Sequence, residues 1–113
     1  MIMEDYCSYE VAKLLKDKGF NESIRCWYDN FQDFHEEGVR MSNNDCLPPT
    51  IMCPTHQMAM KWLREKKIFI NVWYDKTDFS AEYVNGYFNY IGNFDSYEEA
   101  VEQSIKYVLE HVI

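Results

Sequence analysis

The chain has 113 residues, 47% of them hydrophobic and 17% aromatic, and a formal net charge of −8. That length suits one domain and leaves no room for a second core of equal size, so residues 1–113 are read as a single domain. The hydrophobic content excludes disorder, the acidic balance opposes generic nucleic-acid binding through phosphates, and no apolar run approaches a membrane span.

Met1-Ile2-Met3-Glu4-Asp5 has neither a basic flank nor an apolar run, so no secretory signal or transit peptide is expected. Without export, Cys7, Cys26, Cys46 and Cys53 are read as reduced thiols and the expected location is the cytoplasm.

Ser8 suits a helix N-cap, and Val11, Leu14 and Leu15 recur at helical spacing. Gly19 suits the left-handed residue after the last turn, with Phe20 folding back on Leu15, so the first helix is expected over 9–18. Ile24-Arg25-Cys26-Trp27-Tyr28 favours a strand and Asp29-Asn30 a turn, with a hairpin partner somewhere in Phe31 to Met41. Ser42 to Pro54, rich in Asn, Asp and Pro, is expected to be an irregular connection.

A second helix opens at Thr55, or at Cys53 with Pro54 as its first helical residue, and places Met58, Ala59, Trp62 and Leu63 on one face. Lys66 and Lys67 close it. From Ile68 to Asp75 apolar or aromatic side chains fall on both faces of an alternating strand. Residues 82–91 are read as one strand, although Asn85-Gly86 is a strong hairpin dipeptide and two short strands are the alternative. Ser96 and Glu99 form a capping box for a last helix over 97–112, with Ala100, Val101, Ile105, Val108, Leu109 and Val112 in register. On this register Ile105→Ala should cost about 2 to 5 kcal/mol, and Glu102→Ala, placed on the opposite side, little. The order helix, strands, helix, strands, helix gives an α+β class with a mainly antiparallel sheet packed by helices.

Few residues point to chemistry. Cys46, Cys53 and His56 lie close in sequence, and Cys53-Pro54-Thr55-His56 resembles half of a metal knuckle, but a zinc site needs four ligands and Cys7, Cys26, His35 and His111 sit singly elsewhere. Cys53 and His56 are also the only suggestion of a thiol nucleophile and base, which would need a shared pocket. The acidic pairs Glu4-Asp5, Glu36-Glu37 and Glu98-Glu99 lack any sign of a cleft, and the last suits the positive end of a helix. Lys61, Arg64, Lys66 and Lys67 are read as a solvated helix face. The aromatic excess is the most informative oddity, since Trp27, Tyr28, Trp73, Tyr74, Tyr83, Tyr87, Phe88 and Tyr90 all fall in expected strands. They offer either ordinary cross-strand pairing or an outward contact surface.

The segment Pro54-Thr55-His56-Gln57-Met58-Ala59-Met60-Lys61-Trp62-Leu63-Arg64-Glu65 resembles, together with Asp95-Ser96-Tyr97-Glu98-Glu99-Ala100 and Ile105-Lys106-Tyr107, a family of small uncharacterised proteins. These occur in gut-bacterial genomes, phages and integrated elements, and Ser8 to Phe20 is similar to the same family's opening helix. The resemblance implies an α+β domain in a mobile-element setting and brings no catalytic residues with it. Cys46 and Cys53 lie outside the resembling pattern.

The function expected from this reading is a non-enzymatic protein-interaction or regulatory module of phage or mobile-element origin, with a protein partner. The alternatives are an acidic inhibitor imitating nucleic acid and a small thiol or metal enzyme using Cys53 and His56. No catalytic, cofactor-binding or metal residue is assigned, no cofactor is expected, and a homo-oligomer is left open.

Overall fold

In the computed structural model, residues 3–36 and 38–113 are described. The element order is α1 (Tyr9–Asp17), β1 (Trp27–Tyr28), β2 (Phe34–His35), β3 (Ile51–Met52), α2 (His56–Glu65), β4 (Phe69–Asp75), β5 (Asp78–Val84), β6 (Phe88–Phe94) and α3 (Tyr97–His111). Helix, strands, helix, strands, helix is the expected α+β order. The chain divides into two compact units, Met1–Thr55 and His56–Ile113.

In the first unit, Ser8 caps α1 by accepting the Val11 amide at 3.2 Å. The helix ends as its sequence demands: Gly19 takes φ +99, and the Phe20 amide donates back to the Leu15 carbonyl at 2.8 Å. Val11, Ala12, Leu15 and Phe20 are buried. Together they supply the apolar stripe on which the unit's core is built.

The strand expected at 24–28 contracts to β1, which pairs antiparallel with β2 on one side and β3 on the other. Ile24 makes only an isolated bridge to Met41. Asp29 sets the turn, its Oδ1 accepting the amides of Phe31 at 2.8 Å and Asp33 at 3.0 Å. The connection 42–54 is not wholly irregular, because it contains β3. The buried Asn43 makes that possible. Its Nδ2 donates to the Phe20 carbonyl at 2.8 Å and its Oδ1 accepts the Met52 amide at 2.9 Å, doing for the backbone what a ladder partner would.

In the second unit, α2 starts at His56, after Thr55, and Pro54 lies outside the helix. Lys67 adopts φ +65 and the Ile68 amide reaches the Leu63 carbonyl at 3.0 Å, so a lysine occupies the left-handed position usually given to glycine. Strands β4, β5 and β6 form an antiparallel meander.

The single strand expected over 82–91 is overturned, and the hairpin alternative holds. Asn85, Gly86 and Tyr87 form the turn between β5 and β6, with Gly86 at φ +99. The expected strand also began too late, since β5 starts at Asp78 and pairs along its whole length with β4.

Ser96 caps α3, accepting the Glu99 amide at 3.1 Å. Ala100, Val101, Ile105, Val108 and Leu109 are fully buried, and α3 packs across all three strands while α2 contacts β4 and α3.

Candidate functional site

The thiols are committed to backbone partners. Cys46 Sγ donates to the carbonyls of Asn43 at 3.4 Å and Thr50 at 3.3 Å, and Cys53 Sγ to that of Cys7 at 3.1 Å. His56, in the other unit, has its Nε2 2.8 Å from Glu102 Oε1. Glu102 is therefore not the bland surface position its helical register suggests, because its carboxylate is the partner of a buried imidazole. Among the described residues, no three His, Cys, Asp or Glu ligand atoms converge within either unit taken alone.

Glu4 and Asp5 are exposed, and Glu98 and Glu99 occupy the first turn of α3, where the helix dipole favours negative charge. Glu36 is exposed, and its neighbour Glu37 lies outside the described residues. The basic residues of the second helix are exposed, and Lys66 Nζ rests 4.4 Å from the centre of the Trp62 ring.

The first unit holds a cavity of about 480 Å³, lined by Trp27, Met41, Cys46, Leu47, Thr50 and Met52 among others. Gly38 also borders it. A Cβ at Gly38 would sit 3.2 Å from both the Arg25 carbonyl and Trp27 Nε1, so the bare backbone permits this close approach. The Trp27 ring stacks on His35 with centroids 4.1 Å apart and planes 13° from parallel. His35 Nε2 in turn lies 2.8 Å from Asp29 Oδ2. That hydrogen bond, followed by the amides of Asp33 and Phe31, holds the Asp29 carboxyl below its ordinary range. The Tyr6 phenol is pushed up to about 12, chiefly by its hydrogen bond with Cys26 and then by burial. These contacts brace the hairpin and the cavity wall. They do not align a nucleophile with a base.

The second unit presents the other feature, one open face of its sheet. The rings of Phe79 and Tyr83 meet Tyr97 and Tyr107 of α3, so Phe79, Ala81 and Tyr83 mark the helix side. Alternation then places Ser80, Glu82 and Val84 on the opposite face, where Ser80 is itself buried, and the register places Trp73, Asn71 and Phe69 beside them on β4. On β6 the matching residues are Asn93, Tyr90 and Phe88. The irregularity between Ala81 and Glu82 keeps both ends of β6 in phase by looping out one residue.

The outer face therefore carries Phe69, Trp73, Phe88 and Tyr90, which are 41%, 42%, 79% and 65% exposed. Of the aromatic residues assigned to strands from sequence, Tyr83 packs on the helix side and Tyr74 sits against Phe79 at 5.3 Å. Tyr87 is in the turn instead of a strand. Tyr28 donates its hydroxyl to the Cys7 carbonyl at 2.7 Å.

Sequence reasoning missed Asn43 and the His56–Glu102 pair, since each depends on a residue distant in the chain. No helix among the described residues is long and apolar enough to cross a membrane. Comparison with protein-family models, with curated proteins and with solved structures finds no match to this chain.

Proposed function

We propose that the protein is a non-enzymatic interaction module whose contact surface is the outer face of the β4–β6 sheet. The observation that carries this reading is the row of exposed rings, Phe69, Trp73, Phe88 and Tyr90, on a sheet backed by α3. Aromatic side chains on a rigid support bury large area at modest entropic cost, which is why they dominate interface energetics. Four cysteines, none of them in a disulfide, suit a reducing compartment, and the cytoplasm is the setting we propose. The resemblance to proteins of phages and integrated elements favours a host or viral protein as partner. Cys53 and His56, each held by a partner in its own unit, lend no support to a thiol enzyme.

The test is affinity capture from host lysate with mass spectrometry, run in parallel on the parent and on a Phe88→Ser, Tyr90→Ser double variant. A protein retained by the parent and lost from a variant of unchanged circular dichroism and melting is the expected result. Equal capture by both would remove the sheet face from consideration.

A further inference from the structure

We propose that the outer sheet face takes a cationic protein segment, one in which Arg or Lys side chains alternate with aliphatic ones. This rests on the interaction reading above and adds the chemistry of the partner. The three strands Phe69–Asp75, Asp78–Val84 and Phe88–Phe94 contain Asp75, Asp78 and Glu82 and no Lys, Arg or His. The nearest basic residues in sequence, Lys66, Lys67 and Lys76, lie beyond the strand ends.

The register puts all three carboxylates on the same face as the rings. Asp75 stands opposite Asp78 at one end, and Glu82 stands between Asn71 and Tyr90 in the middle. Glu82 Oε2 accepts from Asn71 Nδ2 at 3.1 Å, and Asp78 accepts from Asn93 Nδ2 at 3.1 and 3.2 Å. An ionised carboxylate has about four acceptor positions, so these bonds orient the acids and leave capacity for a further donor. The aromatic faces add negative quadrupoles that attract ammonium and guanidinium groups.

Charge decides among the occupants. An aromatic sheet face can stack nucleobases, but single-strand binding also needs a positive groove along the phosphates, and here every charge within the strands is negative. A second copy seated on the same face would set Glu82, Asp75 and Asp78 against like charges, which costs affinity. A segment carrying Arg or Lys meets both the carboxylates and the rings.

The test is an NMR titration of the isotope-labelled full chain with three probes: a short blocked peptide alternating Arg and Leu, the same peptide with Glu in place of Arg, and oligodeoxythymidine. The Arg peptide should shift resonances of Asn71, Glu82 and Tyr90, lose affinity as salt rises, and bind about twofold to fivefold more weakly to Glu82→Gln. Equal binding of the Glu peptide, or preference for the oligonucleotide at this face, would overturn the cationic partner. No response to the Arg peptide would also overturn it. If lysate capture still depended on Phe88 and Tyr90 in that case, the interaction reading would survive. If capture did not depend on them, both would fall.

Discussion

His56 Nε2 lies 2.8 Å from Glu102 Oε1, so the first residue of α2 is tied to α3 by an imidazole that is only 8% exposed. Removing the carboxylate leaves a buried polar ring without that partner, which costs about 1 to 3 kcal/mol. Glu102→Ala is therefore expected to destabilise by that amount, whereas Gln103→Ala, at an exposed position one residue on, should stay within about 0.5 kcal/mol of the parent. Urea denaturation of both variants checks the contrast. Coincident melts for Glu102→Ala and the parent would show that His56 needs no carboxylate.

Two adjacent buried residues of α3 should respond differently to truncation. Ile105 is fully buried, and Ile105→Ala should cost about 2 to 5 kcal/mol by opening a cavity. Ser104 is equally buried, and its Oγ has no hydrogen-bond partner among the described residues. Ser104→Ala removes an unsatisfied hydroxyl and should leave stability unchanged or raise it by about 1 kcal/mol. The same denaturant series measures both, and a loss on Ser104→Ala would mean that the hydroxyl is satisfied in solution.

Asp29 gives a pH signature. Its carboxyl is held below the ordinary value of 3.8, first by His35 and then by backbone amides. A group with a lowered folded-state pKa contributes stability above its unfolded value, and that contribution fades as pH falls through the folded value. The Asp29 contribution should therefore be whole above pH 3.8 and decline only in more acidic solution. Carbon-detected NMR titration should find this carboxyl titrating below the ordinary aspartate range, and His35→Ala should move it upward. An ordinary titration in the parent would remove His35 as its partner.

The four thiols should separate by reactivity. Cys7, Cys46 and Cys53 are buried, whereas Cys26 is half-buried. Attack on a buried thiol must wait for local opening of the fold. A thiol-reactive disulfide reagent should modify the native protein first at Cys26, with the other three following only as denaturant is added. Peptide mapping by mass spectrometry identifies the site, and early labelling of Cys46 would show that the cavity beside it admits reagent.

What the sequence determined by itself is the set of features whose cause is local. Ser8, Gly19 with Phe20, and Ser96 with Glu99 each act within about one helical turn, so both outer helices were legible to within a residue or so. Asn85-Gly86 carries the hairpin as an alternative, but Val84 before the dipeptide and Phe88 and Tyr90 after it fall in the same alternating phase, and only strand pairing separates one strand from two. β3 was hidden for a related reason, because a proline-rich stretch becomes a strand only when Asn43 and β1 supply partners for its backbone. Tertiary structure also decided which aromatic rings face outward, since a slip of one residue would send each side chain to the opposite face. Sequence spacing could propose the rings, but strand register and the helix packed behind the sheet determine which of them meet solvent.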